Sequence, residues 1–300
     1  MKILIKLVVA LIAIVVIVIV AAFYFIDHIA KAGIEGGATY ALGVETTLDE
    51  ADVGVFSAEF SMAGLNVSNP EGFDTSHFFN LSSGGTKVDL NTLRSDTVKL
   101  PHLTLAGLDM NLEKKGGKSN YDVILDNLKR LESGEKPEAE SGEGKDFVIE
   151  EVIITDVNVH VDMLPVGGEI SRVVVPIDEI RLTNVGTGED GGVKFSELFG
   201  VLLKAVLMAV VQNGADLPGE IVGELQNGLA GLRPLGDMGV GVVTEIGGQL
   251  QDITGQFEGV VEGAGDIGEG LGEVGEEVEG ALKGLGDLFG GDKKDKDEND

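Results

Sequence analysis

Val157-Asn158-Val159-His160-Val161-Asp162-Met163 alternates apolar and polar residues. Period two over this length is the pattern of a half-buried antiparallel strand. The unit recurs. Met62-Ala63-Gly64-Leu65-Asn66-Val67 matches Leu105-Ala106-Gly107-Leu108-Asp109-Met110, and Ile154-Thr155-Asp156-Val157-Asn158-Val159 matches more loosely, with Leu182-Thr183-Asn184-Val185 a shorter echo. Its third position is Gly64, Gly107, Asp156 or Asn184, residue types that tolerate a left-handed backbone. The apolar phase slips by one there, from Phe60 and Met62 to Leu65 and Val67, and from Leu103 and Leu105 to Leu108 and Met110. A slip at such a position predicts a β-bulge or tight bend, so each unit is a strand, a bend and a continuing strand.

Working outward, ten strand candidates emerge: Val44–Leu48, Ala51–Ser57, Glu59–Val67, Thr86–Leu90, Thr97–Leu103, Leu108–Glu113, Phe147–Ile154, Asn158–Met163, Glu169–Val175 and Ile177–Leu182. The expected fold is mostly β with helices, its core a curled, groove-like antiparallel sheet. Covers for the apolar face are scarce. Ser119 and Asp122 form a capping box, opening a helix with Tyr121, Ile124, Leu125, Leu128 and Leu131 on one stripe. Residues 133–145 are acidic and lack an apolar pattern, which predicts a flexible linker. Ser196–Gln212 is a second helix, within an apolar segment 191–214. It is apolar nearly all round except for Lys204, and short for a membrane span, so burial is expected.

Leu7 to Ile26 carries no charge over twenty residues. At about 1.5 Å per residue that is about 30 Å, the hydrocarbon thickness of a bilayer. Lys2 and Lys6 precede it, which orients the N-terminus to the cytoplasm. A cleaved signal peptide is the competing reading, since Val20 and Ala22 fit small-residue cleavage rules. The run continues past them, however, and favours an N-terminal transmembrane helix over residues 1–26, followed by a helical connector over 27–43.

At the other end a 4-3 spacing runs from Ile246 through Leu250, Ile253 and Phe257 to Leu288. It predicts C-terminal amphipathic Gly-rich helices over 215–291 with a coiled-coil-like seam. Thirteen glycines between Ile246 and Phe289 weaken that helix by about 1 kcal/mol each. It therefore needs a partner helix for residues 246–289, or else stays a transient helix in a disordered acidic tail. Residues 292–300 form a disordered charged end.

The net charge of −29 argues against nucleic acid as a partner. There is no cysteine, hence no disulfide and no thiolate nucleophile. His28, His77, His102 and His160 show no metal-ligand spacing, and His160 is expected to be solvated. Gly117-Lys118-Ser119 lacks the first glycine of a P-loop, since Leu112 stands there. Two GxGxxG strings, from Gly263 and from Gly270, follow no strand. No catalytic residue, cofactor or metal is expected, and the chain is read as a non-enzyme.

With its anchor, the Asp27–Tyr40 helix, LNVSNPEGF (Leu65–Phe73), KVDLNTL (Lys87–Leu93), LPHLTLAGLDMNLE (Leu100–Glu113) and SNYDVILDNL (Ser119–Leu128), the chain resembles the AsmA family of bacterial envelope proteins over roughly residues 1–190. The resemblance implies an AsmA-like β domain over 44–190. It also implies a bacterial inner-membrane location with the bulk of the chain in the periplasm, and a likeness to chorein-type lipid-transfer proteins, whose curled sheet shields acyl chains. The implied function is to bind or help transport lipid, phospholipid among them, or to support outer-membrane and envelope assembly. The chain is much shorter than the large members. Phe60, Met62, Leu103, Leu105, Val157, Val159 and Val161 are the candidate lipid-groove residues. They serve equally well as plain core. The alternative is a membrane-tethered structural adaptor whose C-terminal heptad docks a partner.

Overall fold

A computed structural model describes residues 2–133, 145–162, 172–188, 191–214, 217–246 and 249–254. The chain divides into two units, Met1–Phe257 and Glu258–Asp300. The second unit lies outside the described residues, as do the expected linker over 134–144, the heptad beyond residue 254 and the charged end.

Lys2–Leu42 is one continuous helix, α1, of 41 residues. The expected anchor and connector are thus a single rod. No proline interrupts it, and Gly43 ends it in the left-handed region (φ 72°), where a glycine pays no steric penalty. The helix is followed by β1 (Thr46–Gly54), β2 (Glu59–Ser68), β3 (His77–Lys87) and β4 (Thr97–Lys115). Next come the two-residue β5 (Lys118–Ser119), α2 (Asn120–Glu132), β6 (Asp146–Asp162), β7 (Arg172–Val185) and the two-residue β8 (Val193–Lys194). Then follow α3 (Phe195–Asn213), α4 (Gly219–Ala230), β9 (Gly241–Ile246) and β10 (Gln249–Asp252).

The strands form one sheet in the order β1-β2-β3-β4-β6-β7-β9-β10, with β5 and β8 as short additions to β4 and β6. It is mixed, which corrects the expected all-antiparallel sheet. β6 runs parallel to β4, with Thr97 opposite Asp146 and Glu113 opposite Asp162. The chain returns through α2 to the starting end of β4, and a crossover of that kind delivers a parallel neighbour. Candidate strands on either side of a bend fuse into the long β4, β6 and β7. β3 begins nine residues before the expected Thr86. Its Ser-Ser-Gly-Gly stretch has poor strand propensity and is held by pairing on both sides. Ile246 and Leu250 sit in the β9–β10 hairpin, so the heptad does not begin as a helix there.

The bends are real, but they are not register-shifting bulges. Gly64, Gly107 and Asp156 have φ of 65°, 71° and 54°; Asn184, φ 61°, lies one residue from the end of β7 and not at their level, so no strand continues beyond it as its echo of the unit predicted. Across six strands the inward face steps by three residues at one level: Leu48 to Ala51, Met62 to Leu65, Leu81 to Gly84, Leu105 to Leu108, Ile154 to Val157 and Ile177 to Ile180. Pairing on both sides of that level keeps a constant register in every ladder. A bulge shifts one strand against its neighbour; here every strand takes the extra residue together, so none is displaced. Glycine is needed where the bend brings strands close. A Cβ on Gly64 would stand 2.1 Å from Asp49 Oδ2, and one on Gly107 2.5 Å from Ser82 Oγ.

One face of the sheet is covered by helices. The stripe Tyr121, Ile124, Leu125 and Leu128 of α2 is buried as its spacing predicts. Ser119 does not cap α2 through its side chain. α3 is long and apolar enough to cross a membrane, but two thirds of it is buried inside the protein, which makes it the central core helix. α1 covers the sheet edge. Its polar stripe Asp27, Lys31, Glu35 and Thr39 meets the outer backbone of β1: Val53 N donates to Asp27 (2.9 Å), Leu48 N to Glu35 (2.9 Å) and Thr46 N to Thr39 (3.0 Å), while Lys31 donates to Asp49 O (3.2 Å). An i, i+4 stripe thereby satisfies an edge that would otherwise invite pairing.

Candidate functional site

An apolar cavity of about 520 Å³ lies between the β1–β4 half of the sheet and the helices α1 and α3. Phe60 and Met62 of β2, Leu81 of β3, and Leu103 and Leu105 of β4 form its sheet wall. The opposite wall is one stripe of α3, in which Phe195, Phe199, Leu202 and Val206 recur at helical spacing, with Ala30, Gly33 and Ile34 of α1 at the side. Phe195 packs edge-on to Phe199, with ring centroids 5.5 Å apart, and tilted against Phe147 at 6.0 Å. The inner end is dry: Leu65, Phe79, Leu108, Met110 and Ile154 are all buried. Among the described lining residues Lys145 is the single charged side chain, and its ammonium donates to Ser95 O (2.6 Å).

The direction in which the cavity opens follows from α1. Asp27 bonds the Val53 end of β1 and Thr39 its Thr46 end, so the helix runs antiparallel to the strand. Residues 7–26 therefore project beyond the end of the sheet formed by Gly54, Glu59, Lys87, Thr97 and Asp146. Leu93, at 43 %, and Lys145 are exposed lining residues at that same end, beside half-buried Val53, Phe60 and Val88, while Gly33 is exposed part-way along α1.

Phe60, Met62, Leu103 and Leu105 come together in this cavity. Val157, Val159 and Val161 do not. They lie on β6 beyond the bend and are fully buried in the core. The aromatic wall from α3 was missed. Its signal was the i, i+4 pair Phe195 and Phe199 in a chain with few aromatic residues.

The polar groups are structural. At the far end of β4 the Glu113 carboxylate, 5 % exposed, accepts from Asp74 N (2.7 Å), Thr75 N (3.0 Å), Thr75 Oγ1 (3.0 Å) and Asn69 Nδ2 (3.3 Å). Asn120 accepts from Glu113 N (2.9 Å) and donates to Asn69 Oδ1 (3.0 Å). The Asn-Pro-Glu-Gly-Phe string thus belongs to a loop clamped by one buried carboxylate. His160 is not simply solvated: its Nε2 lies 2.8 Å from Asp109, which also meets His77 at 3.3 Å. Among the described residues no cluster of His, Asp and Glu could hold a metal ion. A second cavity, about 380 Å³, has a mixed lining that includes Lys204, Glu132 and Arg233 beside Leu128, Val201 and Met238. Lys204 pairs with Glu132 and donates to Arg233 O (2.9 Å); burial holds its ammonium below the ordinary lysine range. Tyr121, whose hydroxyl donates to Glu224 (3.1 Å), is pushed up by burial.

No protein-family model matches the chain, and no curated protein matches it.

Proposed function

We propose that the chain is a single-span, membrane-tethered β domain that holds a lipid acyl chain in the cavity between its sheet and α1 and α3. In this reading residues 7–26 cross the bacterial inner membrane with the N-terminus cytoplasmic, and the rest lies in the periplasm. The sheet and helices enclose a short groove, and the protein helps pass lipid or supports envelope assembly without catalysis.

The observation that carries the reading is an almost wholly apolar cavity of about 520 Å³, within the roughly 300–1,000 Å³ of small-molecule sites, walled in part by the helix proposed as the anchor. Leu7, Leu11, Ile12, Ile14 and Ile17 on that helix are exposed, an arrangement suited to lipid and costly in water. Each methylene shielded in the cavity contributes about 0.8 kcal/mol, so a partly enclosed chain leaves a bilayer over a lower barrier.

The test is extraction of the full chain in mild detergent, followed by organic extraction and mass spectrometry. Near-stoichiometric phospholipid or fatty acid is expected. Met62→Trp, which fills the cavity from a half-buried position, should displace it. A wild-type preparation that carries no lipid and takes up no fluorescent fatty acid defeats the reading.

A further inference from the structure

The end of the sheet from which α1 projects carries two loop tips that present exposed apolar side chains, the second of them beside exposed Arg94 and Asp96. The β1–β2 turn presents Val55 and Phe56, the latter 90 % exposed. The β3–β4 loop presents Leu90, 50 % exposed, and Leu93. Ile29 is exposed on α1, two residues past Asp27, which α1 uses to grip this same end of β1. Among the described residues, the other exposed large apolar side chains outside α1 are Val123, Val174 and Leu250, on three separate elements.

The two tips are joined, since Val88 N donates to Ala58 O (2.8 Å). The second loop satisfies its own polar groups: Asp89 Oδ1 accepts from Asn91 N (3.0 Å), Thr92 Oγ1 donates to Asp89 O (2.7 Å) and accepts from Lys99 N (3.0 Å). A loop that bonds its backbone internally and turns its apolar side chains outward suits the boundary between headgroups and acyl chains, where backbone groups left unbonded are costly.

We infer that this end of the domain is a second membrane contact: the tips carrying Phe56, Leu90 and Leu93 enter the interface of the bilayer that α1 spans. The occupant is a lipid bilayer, because α1 carries its apolar run past this end and fixes the distance to it. Leu93 both faces outward and lines the cavity, so the contact sets the cavity mouth against acyl chains. The inference rests on α1 spanning the bilayer, as proposed above, and not on what the cavity carries.

The chain contains no tryptophan, so Leu11→Trp, Phe56→Trp and Val174→Trp are each a single reporter. Val174 lies toward the opposite end of the sheet, near the Asp162–Arg172 pair. Each full-length variant is reconstituted into vesicles of phosphatidylcholine brominated on its acyl chains. The expected result is several-fold quenching and a blue-shifted emission for Leu11→Trp and Phe56→Trp, with neither for Val174→Trp. If Phe56→Trp misfolds, Leu93→Trp gives the same readout. Quenching at Leu11 without quenching at the tips overturns the contact alone; no quenching at Leu11 overturns the span and the contact together. Quenching at all three overturns the end-on placement. Lipid carriage is read separately, by the extraction described above.

Discussion

The two halves of the sheet differ in how their inward faces are filled, although their strands carry the same kind of sequence. On the β6–β9 side, Val157, Val159, Val175, Ile177, Ile180, Leu182 and Val242 are all buried, sealed within the helical layer. On the β1–β4 side an equally apolar face looks into the cavity. The seam between them is the parallel pair β4–β6. Against the long strands α3 packs mainly on β7 and less on β6, with Phe195, Phe199 and Leu202 turned to the cavity and Val201, Ala205 and Val210 packed in the core. An apolar strand face alone therefore does not make a groove; the hollow half exists because α1 is held at the sheet edge by its polar stripe.

The largest effect is expected at the clamp that closes the far end of the hollow half. Glu113→Ala leaves the backbone donors of Asp74 and Thr75 without their acceptor. Hydrogen bonds to a charged group contribute about 1.5–3 kcal/mol each, and a buried donor left unsatisfied carries its own desolvation cost. A stability loss of about 3 kcal/mol or more is expected in urea denaturation. Amide exchange should rise across residues 69–76 first while β7 stays protected. Uniform loss of protection would mean that the halves do not open separately.

A pair of truncations tests the contrast directly. Leu182→Ala, in the sealed half, should cost about 3 kcal/mol, in the range for a buried leucine that leaves a new void. Leu103→Ala, on the cavity wall, should cost about half that, because its side chain already lacks packing partners on one side. Equal losses would show that the hollow half is as tightly packed as the sealed one.

Much of this was legible in the sequence, and the failures have a common cause. The bend positions in β2, β4 and β6 could be read because a left-handed backbone is a local demand, met at Gly64, Gly107 and Asp156 by residues that accept it. The inward faces of β2 and β4 could be read because alternation is local too. What could not be read depends on distant partners. The parallel β4–β6 pairing is set by the crossover through α2. The strand character of Ser82–Gly85 comes from neighbours on both sides. The hairpin at Ile246 and Leu250 wears a helical spacing, yet β9 pairs with β7. The split of the seven groove candidates has the same origin: Phe60 and Val159 have similar patterns, and only the distance of the overlying helix separates cavity wall from core.

The smallest effect concerns Lys204, the buried cation of α3. Burial lowers the Lys204 pKa, and the Glu132 carboxylate opposes that shift only in part. Below the folded-state value both folded and unfolded chains carry the charge, so the full cost of burying it is present there. As pH rises from that value toward the ordinary lysine value of 10.5, the folded lysine is neutral while the unfolded one still binds a proton. The cost therefore fades over that window. Replacing a buried ion pair by apolar groups is often neutral, so Lys204→Met with Glu132→Gln should change stability by no more than about 1 kcal/mol at pH 7. Relative to that variant, the wild-type protein should gain stability as the solution is made alkaline, measured by urea unfolding of both at each pH. A difference that does not change with pH would show that Lys204 keeps its charge in the core as readily as in water, and would remove burial as the dominant influence on it.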